Sequence, residues 1–368
     1  MKILVINGSP KGKYSITLQT CNYLQILHPE HEFEILHAGQ SIKALEKDFS
    51  PALAAVEKAD ILLFSYPVYT FIAPCQLHRF IELLKASGID LSGKFATQIS
   101  TSKHFYDITA HRYIEENCHD LGLKYIHGLS ADMDDLTTEK GQNEAEKFFE
   151  YLLWSVENEI FEPAPAKQPP AAHIPVKAAP VSDAAKPGDV VVLTDCEKED
   201  VQLQSMIDRF CAVLPRKTRV INIREYPFKG GCLGCFNCAV SGKCIYKDGF
   251  DDYLRNEIQT AEAIVYAFTI KDHSMGSRFK MYDDRNFCNG HRTVTIGMPI
   301  GYLISGNYSL EANLQTILHA RAQVGSNFLA GVATDETDPD TAIDALANKL
   351  CYALEYAYVP PQNFYGIG

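Results

Sequence analysis

The sequence has no long apolar run, no excess of basic residues and only one tryptophan among its 368 residues. No apolar stretch approaches the length of about 20 residues that a transmembrane helix needs. The apolar run that ends at Gly8 is too short for a signal peptide. Lys and Arg number 34 against 46 Asp and Glu, and the resulting net charge of −12 argues against a nucleic-acid or anionic-membrane partner. We therefore expect a cytoplasmic protein that binds neither nucleic acid nor membrane.

The length and the composition predict two folded domains. Hydrophobic residues make up 46% of the chain, which excludes wholesale disorder. Residues 163–187 are rich in Pro and Ala and contain no aromatic residue, so we interpret them as a semi-rigid linker. The predicted domains are residues 1–162 and residues 188–368.

Each half alternates short apolar strands with amphipathic helices. This alternation is typical of a doubly wound parallel α/β sheet, so we expect two such domains in tandem. The predicted strands are Lys2–Asn7, Asp60–Tyr66, Phe95–Ser100, Val190–Thr194, Ala263–Thr269, Thr293–Gly297 and Phe328–Ala333. The predicted helices are Ile16–Leu27, Leu77–Ala86, Ala110–Leu121, Glu144–Glu159, Val201–Leu214, Asp251–Gln259, Leu310–Val324 and Asp340–Tyr356.

The second half contains a compact run of four cysteines. Its spacing is C-x2-C-x2-C-x5-C, formed by Cys232, Cys235, Cys238 and Cys244. Such a run resembles the loops that hold 4Fe-4S clusters, since it can surround one small centre by itself. Zinc and empty, reduced thiols are the alternatives, although structural zinc usually uses two separated C-x2-C pairs. When the halves are aligned on their strands, residues 230–244 form an insertion that the first half lacks.

Three loops of the first half have the composition of a flavin site. The loop after the first strand, residues 8–15, combines two glycines with serines and opens a helix, which suits a phosphate group. An ordinary polar turn is the alternative. The loop Pro67-Val68-Tyr69 offers an apolar edge for a flat ring, and the segment after the next strand offers hydroxyls. In a doubly wound sheet, such loops meet at the carboxyl edge of the strands.

On these residues, the first half resembles the NADPH-dependent FMN reductases of the flavodoxin-like superfamily. The resemblance rests on Gly8-Ser9-Pro10-Lys11 and on Pro67-Val68-Tyr69 with Pro74, Leu77 and Phe80. It implies an FMN phosphate held by Ser9, Lys11, Ser15, Ile16 and Thr17. It places the isoalloxazine ring against Pro67, Val68, Tyr69 and Thr70, with Ser100, Thr101, Ser102 and Lys103 at the ring edge. The family often has Arg at the position of Lys11 and Asn at that of Ile16.

The second half resembles the iron–sulfur flavoproteins of the same superfamily. The cysteine run matches, as do Asp251, Asp252, Asp284 and Arg285. The loop after its first strand is acidic and lacks Gly-Ser-Pro, and carboxylates there would repel a phosphate. We therefore expect FMN in the first half only, and metal ligation by Cys232, Cys235, Cys238 and Cys244. Because the resembled family pairs cluster and flavin across a dimer, we expect a pseudo-dimer within one chain. Whether two chains also form a homodimer is left open by the sequence.

Together these features predict an FMN-dependent oxidoreductase or electron-transfer protein that passes electrons between a 4Fe-4S cluster and FMN. The resemblance implies a ferredoxin-type electron donor, and NAD(P)H is the alternative donor. Two other functions remain: an NAD(P)H-dependent FMN or quinone reductase without a working cluster, and a non-catalytic redox-sensing or interaction protein. We expect no acid or base side chain to be required for catalysis.

Overall fold

The computed structural model describes residues 1–181, 185–290 and 294–367. These residues form two units. Unit 1 comprises Met1–Lys167 together with Gly231–Cys235, and unit 2 comprises Gln168–Gly230 together with Phe236–Gly368. Within the described ranges, no helix has both the length and the hydropathy that a bilayer span requires.

Unit 1 alternates strands and helices along its first 157 residues. Its strands are β1 (Lys2–Asn7), β2 (Glu32–Leu36), β3 (Ile61–Pro67), β4 (Phe95–Ser102), β5 (Lys124–Tyr125) and β6 (Leu129–Asp132). Its helices are α1 (Ile16–Leu27), α2 (Ala38–Leu45), α3 (Ser50–Lys58), α4 (Cys75–Ala86), α5 (Asp107–Asp120) and α6 (Glu139–Glu157). The longest helix, α6, begins where the Thr138 side chain accepts a hydrogen bond from the Gly141 N–H, a typical N-cap.

Unit 2 repeats this alternation. Its strands are β7 (Val190–Thr194), β8 (Thr218–Asn222), β9 (Ala263–Thr269), β10 (Pro299–Ser305) and β11 (Phe328–Thr334). Its helices are α7 (Val201–Val213), α8 (Asn237–Ser241), α9 (Phe250–Tyr253), α10 (Gly276–Asn286), α11 (Ala312–Val324), α12 (Pro339–Tyr356) and α13 (Phe364–Ile367). A π-helical turn, Leu254–Ile258, follows α9 directly.

Both sheets are parallel and have the same strand order. In unit 1 the order is β2-β1-β3-β4-β5, with β6 also paired to β4. In unit 2 it is β11-β10-β9-β7-β8. Counted within its own unit, each order is 2-1-3-4-5, the arrangement of flavodoxin. Both units have the flavodoxin-like fold. The predicted fold class, two tandem doubly wound parallel sheets, is confirmed.

The central strands of unit 2 are buried on both faces, which explains their nearly continuous apolar sequence. Along β7, Val191 and Leu193 pack in the core on one side of the sheet. Val190 and Val192 pack in the core on the other side. The alternation follows from the two-residue repeat of a strand. In unit 1, the buried strands β1 and β3 pack on α1 and α6 through one core that includes Val5, Leu63 and Phe149.

The prediction of a strand at Thr293–Gly297 is wrong. Residues 294–297 form turns, and the strand of that region is β10, at Pro299–Ser305. Thr293 lies outside the described residues. Pro299 is the first residue of its strand, where the missing N–H is tolerated. The predicted helix Asp251–Gln259 is instead the short helix α9 followed by the π-helical turn.

Part of the predicted linker is hydrogen-bonded to the rest of unit 2. The Ala171 N–H donates to Asn307 Oδ1 at 2.9 Å, and the Ile174 N–H donates to the Asp335 carbonyl at 2.7 Å. Arg209 donates to the Lys177 carbonyl at 2.9 Å. These bonds hold residues 171–177 on the surface of unit 2.

Candidate functional site

Three strands of unit 1 end side by side at one edge of the sheet. In the register of the sheet, Asn7 of β1 pairs with Ser65 of β3, and Pro67 of β3 pairs with Thr101 of β4. The strand order changes direction between β1 and β3, and this is the switch point at which flavodoxin-like sheets bind FMN. The three loops selected from the sequence therefore lie at the edge that the fold favours for a ligand.

The phosphate loop, residues 8–15, is shaped by Asn7. The buried Asn7 amide donates to the Gly12 carbonyl at 2.9 Å and accepts from the Ser9 N–H at 3.1 Å. Gly12 has a φ of +55°, which glycine adopts without strain. The loop also touches α2, since a Cβ on Gly39 would lie 2.2 Å from the Gly8 carbonyl oxygen. The loop is therefore preorganised by residues that the site prediction did not include, Asn7 and Gly39.

The hydroxyls of the phosphate loop and of the first turn of α1 differ in the hydrogen bonds that they make. Ser9 Oγ accepts from the Lys11 N–H at 3.3 Å. Ser15 is the N-cap of α1, but its side chain makes no capping bond. Thr17, in the first turn of α1, is 1% exposed, and its Oγ1 has no hydrogen-bond partner within the described part of the chain. A phosphate at this helix N-terminus would satisfy the hydroxyl, so the residues present fit the phosphate end of FMN.

Among the predicted phosphate ligands, Ile16 can contribute only its backbone. Its side chain is 49% exposed at the start of α1. Lys11 is half-buried in the loop.

The ring loop, residues 67–74, follows β3 and contains a strained turn. Tyr69 and Ile72 exchange two backbone hydrogen bonds, of 2.8 and 3.2 Å. The two residues between them, Thr70 and Phe71, have φ values of +44° and +76°. Such values are uncommon for a non-glycine residue and are an outlier for a bulky one. Pro67, Val68, Tyr69 and Thr70 are all half-buried. They form a partly accessible surface at the position predicted for the ring.

At the end of β4, the predicted edge residues differ in what their side chains do. Ser100 Oγ is 2.8 Å from His111 Nε2, and burial lowers the pKa of His111 to about 4. Ser102 Oγ accepts from the His104 N–H at 2.9 Å. Thr101 is buried, and its Oγ1 has no partner among the residues that the structure describes. Of these three hydroxyls, that of Thr101 is the one for which the protein supplies no partner.

Lys103 is engaged by two carboxylates. Its ammonium donates to Asp132 at 2.6 Å and to Asp134 at 2.8 Å. These hydrogen bonds raise the pKa of Lys103 above its usual range, Asp132 contributing most. Lys103 therefore binds Asp132 at the end of β6 and Asp134 in the loop that follows.

We define the cysteine loop as residues 230–248. Its segment Gly231–Cys235 belongs to unit 1. Gln76 Nε2 donates to the Cys232 carbonyl at 3.2 Å. Gly234 has a φ of +59°, and a Cβ there would lie 1.9 Å from the Tyr69 hydroxyl. A Cβ on Gly231 would lie 2.2 Å from Cys75 Sγ. Gly231–Cys235 therefore lies directly against the ring loop and the start of α4.

The donor set of the cysteine loop fits a metal centre bound by thiolates. Cys232, Cys235, Cys238 and Cys244 form no disulfide within the described part of the chain. The Gly234 N–H lies 3.4 Å from Cys232 Sγ, an N–H···S contact of the kind that tunes iron–sulfur centres. Cys232 and Cys235 belong to unit 1, and Cys238 and Cys244 belong to unit 2.

The corresponding strand end of unit 2 carries carboxylates. Asp195 follows β7 and is buried, and this burial raises its pKa to about 6. Arg224 Nη2 lies 3.6 Å from Asp195 Oδ2 and also pairs with Glu197. Lys271, after β9, lies 3.4 Å from Glu197. Arg224 and Lys271 thus lie beside two of the carboxylates at this edge.

Comparison with known proteins finds a family match within the first unit and several similar proteins. The model of the family described as NADPH-dependent FMN reductase matches residues 1–112. All the residues predicted to bind FMN, from Ser9 to Lys103, lie within this match. The FMN-dependent NADH:quinone oxidoreductase 9 of Burkholderia lata is 28% identical over 131 aligned residues, which cover 26% of this chain and 62% of the relative. This chain therefore spans less than two thirds of that relative's length.

Solved structures of similar fold include an FMN complex of general stress protein 14 from Treponema denticola. It is 14% identical, has a TM-score of 0.35, and the alignment covers 42% of this chain and 99% of that one. The NAD(P)H:quinone oxidoreductase from Methanothermobacter marburgensis is 11% identical with a TM-score of 0.34, over 44% of this chain and 98% of its own. Likeness at this level carries no information on activity.

Proposed function

We propose that unit 1 binds FMN and that the protein is a flavin-dependent oxidoreductase of the NAD(P)H:quinone or FMN reductase type. The match to the FMN reductase family over residues 1–112 supports this proposal. So does the relative whose name describes an FMN-dependent NADH:quinone oxidoreductase. A partly buried ring loop at the switch point of the sheet is the geometry that such a cofactor needs.

The observation that carries the proposal is a pair of buried hydroxyls that have no hydrogen-bond partner among the described residues. Thr17 Oγ1 lies at the phosphate end of the edge and Thr101 Oγ1 at the end of β4, two strands away. Leaving a buried hydroxyl unsatisfied costs about 1–3 kcal/mol, so each site favours a ligand that supplies a hydrogen-bond partner. FMN offers phosphate oxygens at one end and polar ring atoms at the other.

In this proposal the chain's own residues bind and orient. The N–H groups of the phosphate loop and of the first turn of α1, with the side chains of Ser15 and Thr17, hold the phosphate. The first four residues of the ring loop, Pro67 to Thr70, cover one part of the ring and reduce its contact with water. When bound, FMN supplies both one-electron and two-electron chemistry. No side chain of the site has to transfer a proton.

The test is FMN affinity in Thr17→Val. This change replaces the hydroxyl by a methyl group of similar size, and we expect FMN to bind about 10-fold or more weakly because a hydrogen bond to a charged group is lost. Thr20→Val is the matched control, since Thr20 is buried one turn further along the same helix. Equal affinity of the two variants in equilibrium dialysis would contradict the phosphate site.

We further propose that Cys232, Cys235, Cys238 and Cys244 bind a 4Fe-4S cluster and that electrons pass between this cluster and FMN. The spacing of the run, its four cysteines outside disulfides and the N–H···S contact at Cys232 support this assignment. Anaerobic purification followed by iron and FMN quantification tests it. About four irons and one FMN per chain are expected. Zinc, or four titratable thiols without metal, would contradict it.

A simpler reductase without a cluster is the second candidate, and the named relative favours it. In that case NADPH or NADH bleaches the flavin rapidly in protein that contains no iron. If a cluster is present, a ferredoxin-type donor is expected to reduce the flavin through it, with NAD(P)H as the alternative donor.

We also propose that the chain works as a fused pseudo-dimer, with one flavin and one cluster serving each other within a chain. The contact of Gly231–Cys235 with Tyr69 and Gln76, inside unit 1, supports this arrangement. Electron transfer to the flavin should then have a rate independent of protein concentration. A rate that rises in proportion to concentration would instead point to transfer between chains that collide in solution.

A further inference from the structure

The base of the cysteine loop is closed by a buried arginine of unit 2. Arg285, on α10, is 1% exposed. Its Nη1 donates to the Gly230 carbonyl at 2.8 Å and to Asp248 Oδ2 at 2.9 Å, while its Nη2 donates to Asp248 Oδ1 at 2.7 Å. Gly230 is the first residue of the loop and Asp248 the last. One guanidinium therefore joins both ends of the segment that contains all four cysteines.

The surroundings of Arg285 fix its orientation and its charge. Its guanidinium carbon lies 4.6 Å from the ring centre of Tyr246, 5.1 Å from that of Phe250 and 5.5 Å from that of Phe228. Burial opposes the charge, but the hydrogen bonds to Asp248 raise the pKa of Arg285 above its usual value. The side chain thus remains cationic in an enclosed, aromatic environment.

One hydrogen-bond donor of this arginine is not accounted for by the described residues. The Nε–H of Arg285 is buried and has no acceptor among the described residues. A buried, charged N–H without an acceptor is costly, more so than a neutral one. Thiolates and the sulfides of an iron–sulfur centre are acceptors for such a donor.

A second arginine braces the far side of the loop. Arg255, in the π-helical turn, donates to the Gly242 carbonyl at 2.6 Å. Asp251 accepts from the Cys244 N–H at 3.1 Å and lies 3.8 Å from Arg255. π-helical turns are frequent at functional sites. Arg255 and Asp251 therefore hold the backbone around Cys244 through contacts that are separate from those of Arg285.

We propose that Arg285 is a positioning residue of the metal centre. It closes the cysteine loop through Gly230 and Asp248, and its positive charge and its Nε–H stabilise the thiolates when the centre is bound. This inference rests on the proposed metal-binding role of the four cysteines. It assigns a role in the metal centre to a residue that is not one of the four proposed ligands.

The positive charge of Arg285 has a direct consequence for the reduction potential of the centre. Four thiolates bring four negative charges to one centre, and reduction adds another. A buried cation nearby stabilises the reduced form more than the oxidised form, because the attraction grows with the negative charge. Removal of Arg285 should therefore make the potential more negative.

Two variants separate the closing role from the charge. Arg285→Lys keeps the positive charge but cannot bind Gly230 and both oxygens of Asp248 together. The double variant Arg285→Met with Asp248→Leu removes both charges and leaves no uncompensated ion, so the domain is expected to fold. Arg219→Lys is the matched control, since Arg219 binds Asp189 of the same unit with two hydrogen bonds, of 2.6 and 2.7 Å.

The experiment combines amide hydrogen exchange of residues 230–248 in metal-free protein with iron content and reduction potential after anaerobic reconstitution. We expect Arg285→Lys to speed exchange in the loop about 100-fold, because one partner of a buried pair is mismatched. We expect the double variant to lose both iron and loop protection. Any residual centre should keep nearly the wild-type potential, because opposite charges are removed together. The Arg219→Lys control should leave all three readouts unchanged.

The outcomes distinguish this inference from the proposed function. Wild-type exchange rates, iron content and potential in both Arg285 variants would overturn the positioning role. Wild-type protein that takes up no iron would overturn the metal-binding function. In that case the exchange data on metal-free protein still decide whether Arg285 closes the loop.

Discussion

Alanine at position 234 is expected to detach the first part of the cysteine loop from the ring loop. Gly234 has a φ of +59°, and the added Cβ would lie 1.9 Å from the Tyr69 hydroxyl. The left-handed conformation costs an alanine about 1–2 kcal/mol. Overpacking against the tyrosine typically adds about 1–3 kcal/mol. The sum, about 2–5 kcal/mol, exceeds what an ordinary surface substitution costs.

The assay is hydrogen exchange of Gly231–Cys235, because the segment either distorts or lifts away and both outcomes expose its amides. A cost of at least about 2 kcal/mol corresponds to exchange about 30-fold faster. Gly88→Ala is the matched control. Gly88 has a φ of +67°, and nothing lies within 4 Å of a Cβ placed there. It carries the conformational cost alone and should leave Gly231–Cys235 unchanged.

A second substitution tests the origin of the effect. Tyr69→Ala in the Gly234→Ala background removes the ring that the new methyl group meets. The two changes should be coupled favourably by about 1–3 kcal/mol. Unchanged exchange in Gly234→Ala, or a strictly additive double variant, would refute the close contact between Gly234 and Tyr69 as a determinant of loop position.

Three further predictions concern the edges of the two sheets. Thr101→Val should weaken FMN binding several-fold in equilibrium dialysis because it removes the unpartnered hydroxyl, whereas unchanged affinity would exclude a role for this side chain. Gly39→Ala should lower both FMN loading and thermal stability, because its Cβ would lie 2.2 Å from the Gly8 carbonyl oxygen; normal loading would show that α2 can retreat. The raised pKa of Asp195, about 6 in the fold, means that its contribution to stability is full below the unfolded value and is lost as the pH rises through 6. Asp195→Asn should therefore stabilise the protein against urea at pH 7, by up to about 2 kcal/mol, and by much less at pH 4. A gain of equal size at both pH values would contradict the burial argument.

The central strands could be predicted from the sequence because burial on both faces leaves an uninterrupted apolar signal. β1 and β7 were predicted with the bounds that the structure has. The edge strands β2 and β8 were missed. Glu32–Leu36 alternates charged and apolar residues over only five positions, and Thr218–Asn222 is short and polar. Edge strands need little apolar sequence, since one side of the strand faces solvent.

The candidate site was predicted at the level of loops, and less completely at the level of side chains. The three loops share one edge because strand order follows from the fold class. The partners of Ser100 and Lys103 could not be predicted, since His111 lies on the following helix and Asp132 and Asp134 lie about thirty residues further along the chain. Asn7 gave a signal that was not used: it is a polar residue at the end of an otherwise apolar strand.

The strained turn of the ring loop has a counterpart of the same backbone conformation in unit 2. In unit 2, Lys271 and Ser274 exchange backbone hydrogen bonds of 2.9 and 2.7 Å, and the residues between them, Asp272 and His273, have φ values of +47° and +61°. Both turns follow the third strand of their unit and lead into the next helix.

The side chains of the two turns have nothing in common, and only the first turn is accompanied by a phosphate loop. The backbone conformation of the turn is therefore set by the scaffold and not by one particular set of four side chains. The two tetrapeptides, Tyr69–Ile72 and Lys271–Ser274, should accordingly be exchangeable as cassettes. Such a graft would give a protein engineer a way to transfer ring-loop chemistry from one half of the chain to the other without redesigning the sheet.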